Sequence, residues 1–176
     1  MFLDRDGVLV GSDVRDGVPV PAVDPQVLPG VEEACAALRA AGFWLVMVTN
    51  QPDIARGLVP AAEVERVNED LRARLGLDDV RVCPHDDGDG CRCRKPAPGM
   101  LVEAARHAGV DLSRSFMVGD RWRDVDAGRA AGTSTVWIDL GHAERRPEAP
   151  DLTVASLGDA VPFILGAGRR TNGGDA

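Results

Sequence analysis

The sequence predicts an open, doubly wound α/β fold built on a mostly parallel sheet. Three observations carry that expectation. Short apolar runs alternate with helical patterns, Phe43 to Val48 (FWLVMV) is apolar at every position, and polar clusters stand directly after the apolar runs. Strand–helix alternation favours parallel βαβ units. An unbroken apolar run suits a strand covered on both faces. Polar groups just past strand ends lie where open α/β sheets bind ligands.

The elements follow in order. Phe2-Leu3 is the stub of a first strand ending at Asp4, and its shortness raises the expectation of residues upstream of Met1. Pro29 to Ala41 has Pro near its start, acids in its first turn and Gly42 beyond its end, which predicts a helix. Phe43 to Val48 is the second strand. Pro60 to Leu75 is an amphipathic helix closed by Gly76, Val80 to Cys83 a third strand, and Pro98 to Ala108 a helix closed by Gly109. Ser115 to Val118 runs as a strand into Gly119-Asp120, Trp122 to Ala131 is a helix closed by Gly132, and Thr135 to Ile138 is the next strand. A weak strand and helix, Leu152 to Ala155 and Leu157 to Leu165, close the domain. One domain over residues 1–165 is expected, with a disordered tail over 166–176. There is no internal repeat and no linker.

Composition bounds the function. At roughly 100–200 residues per domain, the 176 residues make one domain with a substantial core, 44% of them hydrophobic. The net charge of −8 argues against a nucleic-acid or anionic-membrane partner. No apolar run approaches the roughly 18 residues of a membrane span, and the early Asp4 and Asp6 fit no signal peptide. A cytoplasmic protein, monomeric or weakly oligomeric, is the expectation. Four cysteines in this length make no disulfide scaffold. Cys35, in an Ala-rich helix, reads as a small core residue.

Four polar groups follow predicted strands: Asp4-Arg5-Asp6-Gly7, Thr49-Asn50-Gln51, Arg94-Lys95-Pro96 and Gly119-Asp120. A doubly wound sheet brings them to one rim. There Asp4, Asp6 and Asp120 would crowd negative charge that needs a proton or a cation. Carboxylate oxygens with open positions suit Mg²⁺, which readily takes a phosphate oxygen. Lys95 adds a positive charge and Thr49 a hydroxyl against phosphate oxygens. An aspartate beside Mg²⁺ and Lys can attack phosphorus once the repulsion is neutralised. Of the 20 basic residues, Lys95 is the only lysine, which points to a need for a compact point charge there.

Asp4-Arg5-Asp6-Gly7-Val8-Leu9, Thr49-Asn50-Gln51, Arg94-Lys95-Pro96 and Gly119-Asp120-x-x-x-Asp124 together resemble the haloacid dehalogenase superfamily of phosphatases. More narrowly, they are similar to its histidinol-phosphate and heptose-bisphosphate phosphatase branch, over Phe2 to Leu140. The resemblance implies that Asp4 is the nucleophile that becomes an aspartyl-phosphate. It implies that Asp6 protonates the leaving alcohol and then activates water. Mg²⁺ would be held by Asp4, the Asp6 carbonyl and Asp120. Thr49 and Lys95 would stabilise the phosphoryl group, and Asp124 would support Lys95 or a metal-bound water. Asn50, Gln51, Arg94 and Arg121 fall at substrate-contact positions. Only the 19 residues Val10 to Leu28 separate the first motif from the first helix, too few for a cap domain.

Cys83-x-His85-x5-Cys91-x-Cys93 supplies three thiolates and an imidazole, the ligand set of a closed tetrahedral zinc site. Asp86 to Gly90 between them have no core-forming side chains, so a metal would fold the loop. The same spacing resembles the zinc loop of the phosphatase branch. With no position open for water, the zinc reads as structural. It would fix the approach of Arg94 and Lys95, which follow Cys93. The acidic run Asp86 to Asp89 reads as solvated, and His107 and His142 are assigned no role.

The stretch Thr49 to Gly57 and Lys95-Pro96-x-Pro98-Gly99-Met100 resemble the heptose enzymes, implying a sugar phosphate, the 7-phosphate of D-glycero-D-manno-heptose 1,7-bisphosphate. The heptose enzymes commonly carry Asp-x-x-Tyr in the loop after the first motif. Here Ser12, Asp13, Val14 and Arg15 occupy that loop and the chain has no tyrosine. Histidinol phosphate or another small phosphomonoester is therefore the alternative substrate. A receiver-like domain that retains its phosphoryl group is the distant one, disfavoured by Asp6, which supplies acid–base chemistry for turnover.

Overall fold

The structure, a computed structural model, describes residues 1–11, 14–15, 18–19 and 25–170. In chain order the elements are β1 (Phe2–Leu3), β2 (Val14–Arg15), β3 (Val18–Pro19), α1 (Val31–Ala40), β4 (Val46–Asn50), α2 (Ala61–Leu75) and β5 (Asp79–Cys83). They continue as α3 (Gly99–Ala108), β6 (Phe116–Gly119), α4 (Trp122–Ala131), β7 (Ser134–Ile138), β8 (Leu152–Val154) and α5 (Leu157–Arg170). Six strands form one sheet in the order β5-β4-β1-β6-β7-β8. Every pairing within it is parallel. The chain winds outward from β1 in both directions, so the expected doubly wound architecture is present. Among the described residues there is no cap domain; β2 and β3 pair only with each other, antiparallel.

Alternation along the strands sorts the core onto two faces. Leu3, Met47, Val118, Val136 and Ile138 pack with Leu38 of α1, Leu71 of α2 and Ile164 of α5. Their strand neighbours Phe2, Val46, Val48 and Met117 face the other way, onto Met100, Leu101 and Ala104 of α3. Strands buried on both faces cannot alternate with polar residues, which is why Phe43 to Val48 reads as a continuous apolar run.

Two elements depart from expectation by more than two residues at an end. The second strand is Val46–Asn50 rather than Phe43 to Val48, because pairing starts where β1 starts, Phe2 opposite Val46, and β5 extends it to Asn50 opposite Cys83. Thr49 and Asn50 thus end a strand rather than begin a loop. The last helix runs to Arg170, past the Leu165 end read from the pattern and into the Gly-rich segment read as a tail. Residues 171–176 lie outside the described residues.

Candidate active site and metal centre

The carboxyl ends of β1, β4 and β6 converge because all three run parallel in the middle of the sheet. Asp4 continues β1, its N–H donating to Val118 O of β6 at 2.9 Å. Asp120 follows β6, Thr49 stands in β4, and Lys95 comes from the segment after β5; all four are buried.

Lys95 is the centre of the arrangement. Its Nζ lies 2.7 Å from Asp4 Oδ1 and 2.6 Å from Asp124 Oδ1, and donates to Val48 O at 2.9 Å. Asn50 grips its backbone: Nδ2 donates to Lys95 O, and Oδ1 accepts from Lys95 N–H, each at 3.0 Å. Burial alone would lower the ammonium pKa, but the Asp124 and Asp4 carboxylates outweigh it and hold the pKa above the ordinary lysine value. Lys95 is therefore a fixed cation.

Even so, the acids outnumber it. Asp4, Asp120 and Asp124 each place a carboxylate oxygen within 4.8 Å of the others. Burial, aided by the Asp124 charge, pushes Asp4 up to about 7. Burial, with Asp4 and Asp124 nearby, pushes Asp120 up to about 9. Asp120 Oδ1 is buried with no hydrogen-bond partner among the described residues. An orphaned carboxylate oxygen in a buried acidic cluster fits a hard divalent cation such as Mg²⁺.

Backbone glycines make the crowding possible. Gly7 sits at φ 80°, and a Cβ there would lie 2.3 Å from Asp120 Oδ2. A Cβ on Gly119 would lie 2.0 Å from Asp124 Cβ. The motif glycines thus let acids from β1, β6 and α4 approach one another.

Asp6 stands apart from that trio. Its carboxylate is forked by Arg5, with Nε at 3.1 Å from Oδ2 and Nη2 at 3.2 Å from Oδ1. Gln51 Nε2 donates to Asp6 Oδ2 at 3.1 Å and to Thr49 Oγ1 at 2.9 Å. Since Thr49 Oγ1 accepts there, its own O–H is left to donate elsewhere. Arg5 is buried and also reaches α2, donating to Asn68 Oδ1 at 3.1 Å. Sequence reasoning gave Arg5 no role; its position between the two aspartates of the first motif was the available signal.

The four expected zinc ligands meet at one point. Cys93 Sγ lies 3.2 Å from Cys83 Sγ, 3.5 Å from Cys91 Sγ and 3.3 Å from His85 Nδ1. Cys83 Sγ lies 3.6 Å from His85 Nδ1 and 3.7 Å from Cys91 Sγ. Ligands at 2.0–2.3 Å on a tetrahedron stand roughly 3.3–3.8 Å apart, so the cluster fits Zn²⁺. All four cysteines are free, and the sulfurs are too far apart for a bond of about 2.05 Å. Burial pushes the Cys83 thiol up to about 12, so a cation is needed to hold it as a thiolate.

The acidic run is not simply solvated, which corrects the sequence reading. Asp86 accepts a fork from Arg56, Nε at 2.7 Å and Nη2 at 2.8 Å. Asp87 accepts from Arg94 Nε at 2.7 Å, with Arg123 of α4 at 3.6 Å. Asp86 and Asp89 also close a reciprocal cap around a short 3₁₀ turn at Asp87–Asp89. Arginines brought from three segments thus tie the loop down. Arg94 turns toward the loop, donating to His85 O at 3.2 Å as well.

Arg121 lies 3.5 Å from Asp120 Oδ2 through Nε and pairs with Glu144 through Nη1. It lines a pocket of about 250 Å³ beside Asp120, together with Trp122, Trp137 and His142. His142, to which sequence reasoning gave no role, places Nε2 2.6 Å from Asp120 Oδ2. Burial and Arg121 lower its pKa, favouring the neutral ring. Ser12 and Asp13 lie outside the described residues, and Val14 and Arg15 are described only as the backbone of β2.

Comparison with known proteins adds a lineage to this geometry. The haloacid dehalogenase-like hydrolase family model matches residues 3–132. A D-glycero-beta-D-manno-heptose-1,7-bisphosphate 7-phosphatase of Pseudomonas putida is 36% identical over 167 residues, covering 88% of this chain and 91% of the relative. Its namesake from Pseudomonas aeruginosa is 39% identical over 153 residues, covering 82% and 83%. A crystal structure of D,D-heptose 1,7-bisphosphate phosphatase from B. bronchiseptica, complexed with magnesium and phosphate, is similar with a TM-score of 0.81. It is 32% identical and covers 94% of this chain and 97% of that one.

Proposed function

The chain belongs to the haloacid dehalogenase-like hydrolases and is a phosphatase, and we propose that it removes the 7-phosphate of D-glycero-D-manno-heptose 1,7-bisphosphate through an aspartyl-phosphate on Asp4. The observation that carries the reaction class is Asp4 at the end of β1, 2.7 Å from a buried lysine and inside an acidic cluster that fits a cation. The substrate rests on the relatives of that name, which align over most of both chains.

Asp4 attacks phosphorus, and the bond from phosphorus to the sugar oxygen breaks as Asp6 gives that oxygen a proton. Asp6 then takes a proton from water, which attacks the same phosphorus and frees phosphate and the Asp4 carboxylate. Lys95 and the Thr49 hydroxyl bind the transferring phosphoryl oxygens. Asp4, Asp120 and the Asp6 carbonyl would hold Mg²⁺, which would supply charge neutralisation for the phosphoryl group. Asp124 holds Lys95 in place. Gln51 orients Asp6 and Thr49; the family resemblance assigns contacts with the leaving sugar to Arg94 and Arg121 and to Ser12, Asp13, Val14 and Arg15.

Cys83, His85, Cys91 and Cys93 would hold Zn²⁺ in a structural role, fixing the path of the chain into Lys95. A single domain, acting in the cytoplasm as a monomer or weak oligomer, completes the reading. The charge of −8 supports a role without nucleic acid, and no helix among the described residues is long and apolar enough to cross a membrane.

Phosphate release across a panel of sugar phosphates and histidinol phosphate tests the substrate. The expected result is many turnovers per enzyme, with the highest kcat/KM on the heptose bisphosphate and its 1-phosphate left intact. A preference for histidinol phosphate overturns the substrate, and one equivalent of phosphate retained on the protein overturns the reaction.

A further inference from the structure

The loop after β7 returns to the acidic cluster in a way the reaction above leaves unused. Asp139 N–H donates to Val154 O at 2.9 Å, and Asp139 Oδ1 accepts from Gly141 N–H at 3.0 Å. Gly141 turns the chain at φ 72°. Arg146 pairs with Asp139 and lies over the Trp137 ring, 4.7 Å from its centroid. The loop is therefore held at its base, and what it presents to the cluster is His142.

Asp120 is gripped at two points. Trp137 Nε1 donates to its backbone carbonyl at 3.1 Å. His142 Nε2 meets its side chain at Oδ2, 2.6 Å away. Arg121 Nε, at 3.5 Å from the same oxygen, is too distant to orient it. Oδ1 remains buried and without a partner among the described residues. The two oxygens of one carboxylate are thus divided: one engaged by an imidazole, the other bare.

We infer that His142 is a positioning residue for the cation site, donating Nε2–H to Asp120 Oδ2 so that Oδ1 is presented to the metal. The inference rests on the cation-site reading given under Proposed function. A carboxylate tied at one oxygen loses its rotation about χ2 and offers the other in a fixed direction. Hydrogen-bonded partners of metal ligands typically contribute 10–100-fold in metal affinity. His142 touches neither the phosphoryl group nor the leaving sugar in this role; it acts through Asp120. The residue lies 22 positions beyond its partner in sequence and reaches it only through the turn at Gly141.

The experiment is calorimetric titration of the zinc-loaded protein with magnesium alone, at one neutral pH, for the parent, H142F, H142Q and D120N. Expected is an affinity loss of about 10–100-fold in H142F, substantial recovery in H142Q, whose amide can donate from a similar reach, and no binding in D120N. H142F binding as tightly as the parent, or more tightly because the ring had obstructed the site, overturns the inference while leaving the cation site standing. Unchanged binding in D120N overturns the cation site itself, and the inference with it. Should H142F fail to fold, ¹⁵N-imidazole spectra of the parent decide. The Nε2–H tautomer with a magnesium-dependent shift at Nε2 supports the role, and the other tautomer or no shift removes it.

Discussion

Asn50 holds Lys95 by its backbone rather than by its charge, with both ends of the side-chain amide bonded to the Lys95 peptide groups at 3.0 Å. The end of β4 is thereby latched to the segment leaving the zinc loop. N50A removes both bonds and frees Lys95 to shift relative to Asp4. Misplacement of about 1 Å at a reacting centre can cost on the order of 10²-fold. The expected outcome is a kcat lower by about that factor with a preserved circular-dichroism spectrum. Unchanged kcat would show that Val48 and Asp124 suffice to place the ammonium.

Asp4 and Asp6 stand two residues apart but sit in different surroundings, one on Lys95 and the other forked by Arg5. Their variants should therefore fail differently. D4N abolishes phosphate release and incorporates no phosphate. D6N lowers turnover by about 10²–10⁴-fold, the range of a lost general acid–base group. Intact-mass measurement during turnover checks both, D6N being the variant in which a covalent phosphate on Asp4 can accumulate.

Asp4 and Asp120 are raised to about 7 and about 9 in the folded, metal-free chain, from an ordinary 3.8. Between about pH 4 and pH 9 the folded state then binds more protons than the unfolded state, so metal-free stability falls as pH rises through that window. A cation that binds the folded state alone relieves the repulsion and competes with those protons. The rise in Tm on adding magnesium is expected to grow from about pH 5 to about pH 9, read by thermal melts at a series of pH values. A magnesium effect independent of pH would place the cation elsewhere.

The loop of the Cys/His cluster carries no apolar side chain between His85 and Cys91, so on the zinc reading a metal would hold it together with the arginine pairs. Elemental analysis should find about one zinc per chain in the parent and none in a C91S/C93S double variant. Because Lys95 follows Cys93 by two residues, the double variant should lose both Tm and kcat. Full stability and full activity without zinc would mean that the Arg56–Asp86 and Arg94–Asp87 pairs fold the loop unaided.

Most of the fold and the chemical character of the site were legible because they follow from local rules. Burial on both faces writes itself as an apolar run, as in β4. Parallel strands carry the residues after Leu3, Val48 and Val118 to one edge, whatever the rest of the chain does. The Cys/His cluster was legible for a similar reason: a short loop limits how far Cys83, His85, Cys91 and Cys93 can part.

Residue types and spacing alone determined that acids, one lysine and a Cys/His cluster gather at the sheet's edge. Tertiary structure decided which of them touch. Asp124 reaching Lys95, Arg5 turning onto Asp6 and Asn68, Asp86 and Asp87 taking arginines from other segments, and His142 meeting Asp120 all depend on side-chain directions across distant stretches of chain. Periodicity sets the face of a helix or strand, but a contact between two loops is set by the path between them and by the packing beneath. Neither has a local signature.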